Sequence, residues 1–145
     1  MGRSLRIAST RPVRSWVWFC ESLGVAVTSS ASSRLAVCLD VTGLAPLFDA
    51  DRRFSAEDSL AEPTSKPDPA VYVHAGRTLG VGPADAVAVE DSVNGARSAV
   101  AAGHPTIGIL QFVPAADRPA RADALHEVGV AAVVESWADV ARLLC

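Results

Sequence analysis

The chain alternates short, wholly apolar runs with stretches of helical periodicity, from about Gly24 to Leu144. Val25-Ala26-Val27-Thr28 predicts a strand with both faces covered, as in a parallel sheet, and Ser32 to Val41 a helix after it. Asp68-Pro69 opens a second helix with an acceptor at the N-cap and proline where a missing N–H costs nothing. Val71, Ala75 and Leu79 share one face of that helix, and Gly80 stops it. Ala86 to Val89 predicts the next strand, Ser92 to Ala102 a small-residue helix, and Gly103 its left-handed end. Strands over Thr106 to Leu110 and Ala131 to Val134 follow, with helices over Ala120 to Val128 and Trp137 to Leu144. The alternation predicts an α/β fold: a Rossmann-like parallel sheet flanked by helices.

Composition supports a globular domain. Half of the 145 residues are apolar and 20% charged, and no apolar run approaches the ~20 residues of a membrane helix. The net charge of −3 conceals an asymmetry: the first 20 residues carry Arg3, Arg6, Arg11 and Arg14 with no acid, leaving nine basic against 16 acidic residues beyond. Residues 1–23 therefore read as a basic leader. Its composition suits either a transit peptide or an unstructured or non-native extension. Residues 24–145 form the core domain. Cys20, Cys38 and Cys145 have no metal-like spacing and read as reduced thiols of a cytoplasmic protein, the first two in core-like contexts. His74, His104 and His126 are scattered and enter no mechanism.

Ligands of open parallel sheets bind beyond the carboxyl ends of the strands. Three features fall there. Glu90-Asp91 closes an apolar strand with two adjacent carboxylates, which either hold a hard cation such as Mg²⁺ or cap the following helix. Lys66 lies in the loop entering the Asp68-Pro69 helix, as a countercharge for a phosphoryl group or as solvated surface. Ser29 and Ser30 follow the first strand, as phosphate ligands or as helix caps.

Their order resolves the choice. Ser65-Lys66-Pro67-Asp68-Pro69-Ala70-Val71-Tyr72, then Val89-Glu90-Asp91-Ser92-Val93-Asn94-Gly95-Ala96 and Ala101-Ala102-Gly103, resembles the lysine and acidic motifs of the haloacid-dehalogenase superfamily. The match is to the branch containing β-phosphoglucomutases and phosphoglycolate phosphatases. Val25 to Ser32 resembles that family's hydroxyl motif, and Thr42-Gly43-Leu44 to Phe48-Asp49 the segment after it. The resemblance implies that Ser29 (or Thr28, should the strand end slip by one residue) binds the phosphoryl oxygen with Ser30, that Lys66 stabilises the phosphorylated intermediate, and that Glu90 and Asp91 help hold Mg²⁺. It also implies a small phosphorylated metabolite as partner, a sugar phosphate or a compound like phosphoglycolate, with no nucleic-acid or membrane partner.

The family's nucleophile motif, Asp-x-Asp on the central strand, has no counterpart in this position. The one Asp-x-Asp is Asp49-Ala50-Asp51, trailed by Arg52-Arg53, and reads as a surface turn. The central strand and the cap domain are thus expected to be missing, leaving an inactive phosphatase or phosphomutase core or, alternatively, a non-catalytic Rossmann-like fragment that binds phosphate and metal. A small Rossmann-like binding module is a third reading, but no Gly-x-Gly-x-x-Gly occurs. Without the central strand, two apolar edges face a gap, so either Leu5 to Ser9 fills it or the chain self-associates.

Overall fold

A computed structural model describes residues 24–144, and the leader, with Leu5 to Ser9, lies outside them. Among the described residues there are five strands and five helices, and all but one strand follow the predicted alternation. The strands are β1 (Ala26–Thr28), β2 (Arg53–Ser55), β3 (Ala88–Glu90), β4 (Thr106–Ile109) and β5 (Ala132–Val134). The helices are α1 (Ser32–Val41), α2 (Ala70–Leu79), α3 (Val93–Ala101), α4 (Arg118–Val128) and α5 (Trp137–Leu144). Gly80, Gly103 and Gly129 take φ of 66°, 89° and 93° at helix ends, a region open to glycine because it lacks Cβ.

Every strand pair is parallel. β1 pairs with β2 in the register Val27 to Phe54, and β3, β4 and β5 form a second sheet in that order. Among the described residues the inner edges of β1 and β3 are bonded to no strand. A single apolar cluster nevertheless spans both sheets, with Phe54 of β2, Val71 and Tyr72 of α2, Ala88 of β3 and Ala99 of α3.

β2 is an element the sequence did not disclose. Arg-Phe-Ser is too short for an apolar run, and its flanks are polar. The structure resolves both obstacles locally: Arg53 stays half-buried because its guanidinium donates to the carbonyls of Phe48 (2.8 Å) and Ala45 (3.2 Å), while Phe54 and Ser55 are buried. A second correction concerns Cys38, expected in the core. It is exposed on α1, where only Leu39 is buried, because a helix on one face of a two-stranded sheet buries a narrow stripe. Cys20 and Cys145 lie outside the described residues.

β4 is the best-covered strand, buried at all four positions. Ile107 and Ile109 pack on Val140 of α5. On the other face Gly108 admits Leu125 of α4, whose Cδ1 would lie 2.8 Å from any Cβ there. Leu125 is wholly buried, so Leu125→Ala is expected to cost about 2–5 kcal/mol of stability, measurable as a fall in the urea midpoint with unchanged slope. A loss under about 1 kcal/mol would mean that α4 is loosely docked.

Candidate functional site at the strand ends

The carboxyl ends of β1 and β3 and the loop entering α2 bring Ser29, Lys66 and Glu90 together. Lys66 is the hub. Its backbone N–H donates to Ser29 Oγ at 3.1 Å; its ammonium donates to the Val27 carbonyl at 3.0 Å and pairs with Glu90 Oε1. The Val27 carbonyl belongs to the edge of β1 that no described strand pairs, so the ammonium occupies a position that a neighbouring strand's donor could take. The Lys66–Pro67 peptide bond is cis.

Glu90 ends β3 and is only 7% exposed. A buried carboxylate needs donors, and Oε1 has two, the Lys66 ammonium and the Tyr72 hydroxyl. Burial, with the Glu90 charge and this hydrogen bond, pushes the Tyr72 hydroxyl far above its ordinary pKa, so it remains a donor. The other carboxylate oxygen lies against Gly95 on the first turn of α3. A Cβ at Gly95 would stand 2.5 Å from Glu90 Cδ and 2.8 Å from Ser92 Oγ, which is why the Glu-Asp-Ser-x-x-Gly run needs glycine at its end. Ser92 itself caps α3, its Oγ accepting from the Gly95 N–H at 2.9 Å.

Asp91 follows Glu90 with an exposed side chain, and its carbonyl accepts from the Arg121 guanidinium of α4 at 2.7 Å. Ser30 is half-buried and donates its N–H to Thr28 Oγ1 at 3.1 Å. Thr28 thus turns its hydroxyl into its own turn, whereas Ser29 turns its hydroxyl toward the Lys66 loop. Ser98 of α3 is buried and donates to the Asp68 carbonyl at 2.7 Å, tying that loop to α3. Asp49 and Asp51 are exposed on and beside a 3₁₀ turn, Ala50–Arg52, that precedes β2 at its amino end.

Glu90 and Asp91 offer hard oxygen donors of the kind Mg²⁺ accepts alongside several waters. No group of three or more His, Cys, Asp or Glu side chains suited to a metal occurs among the described residues, so these two carboxylates could be only part of a ligand set. One concavity of about 350 Å³ is lined by Tyr72, Arg77, Pro83 and His104 among others, and another lies beside β5 and α5. Tyr72 and Gly95 stood in the motif runs without a role of their own, and Ser98 and Arg121 went unrecognised in the sequence. A signal existed for Tyr72, since a tyrosine beside Val71 on a buried helix face must find a hydroxyl partner.

A hydroxyl, a lysine and a carboxylate thus meet at the strand ends of a parallel α/β sheet. The family model for haloacid dehalogenase-like hydrolases matches residues 22–103. The chain belongs to that family. It is 37% identical over 93 residues to hexitol phosphatase B of Escherichia coli K12, covering 61% of this chain and 41% of that protein. A conserved haloacid dehalogenase-like protein from Agrobacterium tumefaciens C58 superposes with a TM-score of 0.75 at 31% identity, covering 90% of this chain and 57% of that one. The putative β-phosphoglucomutase of Thermotoga maritima gives 0.67 at 25% identity, covering 92% and 59%. The chain therefore spans about two fifths of the curated relative's length. No described helix is long and apolar enough to cross a membrane.

Proposed function

We propose that this chain supplies the phosphate- and cation-binding half of a phosphatase or phosphomutase site for a small phosphorylated metabolite, and that the 145-residue polypeptide by itself performs no turnover. The supporting observation is the convergence on Lys66 of Ser29 from the end of β1 and Glu90 from the end of β3. Hexitol phosphatase B and the putative β-phosphoglucomutase, with which the chain shares sequence and fold, point to a sugar phosphate or a similar compound as substrate.

In this reading the hydroxyls of Ser29 and Ser30 hold phosphoryl oxygens, and Lys66 offsets their charge as it builds in the transition state. Glu90 and Asp91 would contribute to a Mg²⁺ site, where the ion neutralises phosphate charge. The reading as a non-catalytic phosphate- and metal-binding unit is favoured for the isolated polypeptide by one feature: Asp49 and Asp51 sit on an exposed turn before β2, away from the Ser29–Lys66–Glu90 cluster.

Titration calorimetry with inorganic phosphate tests the site. Lys66→Met, which keeps the stem, and Ser29→Ala should each weaken binding by about tenfold or more, the worth of a hydrogen bond to a charged group, while Asp49→Asn should leave it unchanged. Mn²⁺ as a spectroscopic stand-in for Mg²⁺ should bind more weakly to Asp91→Asn. Phosphate binding indifferent to both Lys66 and Ser29 would dismiss the assignment.

A further inference from the structure

Tyr72 is the chain's single tyrosine. Its ring lies in the apolar cluster that spans the two sheets, where phenylalanine would pack as well, so the hydroxyl needs a separate reason. That hydroxyl donates to the carboxylate oxygen of Glu90 that also holds the Lys66 ammonium, and the ammonium stands 5.2 Å from the centre of the Tyr72 ring. Tyrosine, lysine and glutamate thus form one shared arrangement at the seam between the sheets.

A phosphate arriving at Ser29 must draw the ammonium at least partly off Glu90, because an ammonium neutralised by a buried carboxylate offers an anion little. Glu90 would then be left in a buried position, where an undonated carboxylate is strongly unfavourable. Ring contact with Lys66 adds a weaker attraction that also holds the stem in place. We propose that Tyr72 is a positioning residue of the phosphate site, its hydroxyl keeping the Glu90 carboxylate satisfied and in place when Lys66 turns to the phosphate. This rests on the reading of Ser29 and Lys66 as an oxyanion site and adds to it the residue that makes Lys66 available.

Two readouts test it, with inorganic phosphate as the probe. In calorimetry, Tyr72→Phe should bind phosphate about tenfold to a hundredfold more weakly than the parent chain, the effect of removing one hydrogen bond to a charged group, with far-UV circular dichroism unchanged. In near-UV difference absorption of the parent chain, phosphate should perturb the tyrosine band, because the hydroxyl becomes the main donor to Glu90; Lys66→Met should abolish that perturbation. The spectral measurement needs no variant of Tyr72, so it stands even if Tyr72→Phe does not fold. Parent-like phosphate affinity in folded Tyr72→Phe, or a tyrosine band unmoved by bound phosphate, overturns the proposal while leaving the phosphate site intact. Absence of phosphate binding by the parent chain overturns both.

Discussion

p-Nitrophenyl phosphate and sugar phosphates should be hydrolysed by the 145-residue chain no faster than by buffer, even with Mg²⁺ in excess. Fusing a family-type N-terminal segment that carries Asp-x-Asp should raise the rate by well over 10⁴-fold. Each part of this expectation has its own cause. In the proposed site Ser29 and Lys66, which meet at the strand ends, would bind and orient a phosphate, but uniform binding of substrate and transition state lowers no barrier. A covalent nucleophile opens a different route, and its acid–base partner alone is worth roughly 10²- to 10⁴-fold. The inner edges of β1 and β3, which pair with no strand among the described residues, give the added strand a place to pair. Turnover by the unextended chain that vanishes in Asp91→Asn would show that a nucleophile is already present, with Asp49 the first residue to replace. A fused chain that folds and binds phosphate yet remains inert would show that the strand ends do not form a working site.

The second large effect is expected at Gly95. In most helices Gly→Ala stabilises by up to ~1 kcal/mol, yet here the methyl group would overlap the Glu90 carboxylate and crowd Ser92 Oγ. Glu90 cannot yield easily, being held by Lys66 and Tyr72. Overpacking of this kind costs about 1–3 kcal/mol, and displacing a hydrogen-bonded carboxylate adds a comparable amount. Gly95→Ala should therefore destabilise by about 2–4 kcal/mol in urea unfolding and weaken phosphate binding. The sign should reverse once Glu90 is truncated: in a Glu90→Ala background the same alanine should be neutral or stabilising. Equal destabilisation in both backgrounds would locate the clash elsewhere.

Much of this architecture was legible because its signals are local. β1, β3, β4 and β5 are apolar runs with turn residues at their ends, and α2, α4 and the end of α3 are marked by Gly80, Gly129 and Gly103. Glu90-Asp91, Ser29 and Lys66 were legible as a motif, and the meeting of Ser29, Lys66 and Glu90 followed from the strand-end rule. β2 was hidden because its stability is tertiary, with Arg53 satisfied by carbonyls five and eight residues away. Tyr72 was hidden for a similar reason. Its helical position announces burial, but only a folded chain shows which acceptor its hydroxyl reaches. The exposure of Cys38 was misread because apolar neighbours such as Val37 and Val41 suggest a core, and both are exposed as well.

The start of α1 carries a consequence of a different kind. A helix amino terminus is ordinarily a seat for anions, and α1 begins just beyond Ser29 and Ser30. That seat is already taken: Asp58, 26 residues on, accepts from the Ser32 N–H at 2.8 Å and from the Ser32 hydroxyl. Hydrogen bonds from the Ser32 side chain, its backbone and Ser55 hold the Asp58 carboxyl below its ordinary pKa. Its support for the fold is thus complete above the ordinary carboxylate range and is lost as the solution is acidified through the lowered value. A phosphate held at Ser29 as proposed would meet an α1 whose first turn already faces a carboxylate, so its electrostatic hold would come from the hydroxyls, Lys66 and the proposed cation instead of from the helix end.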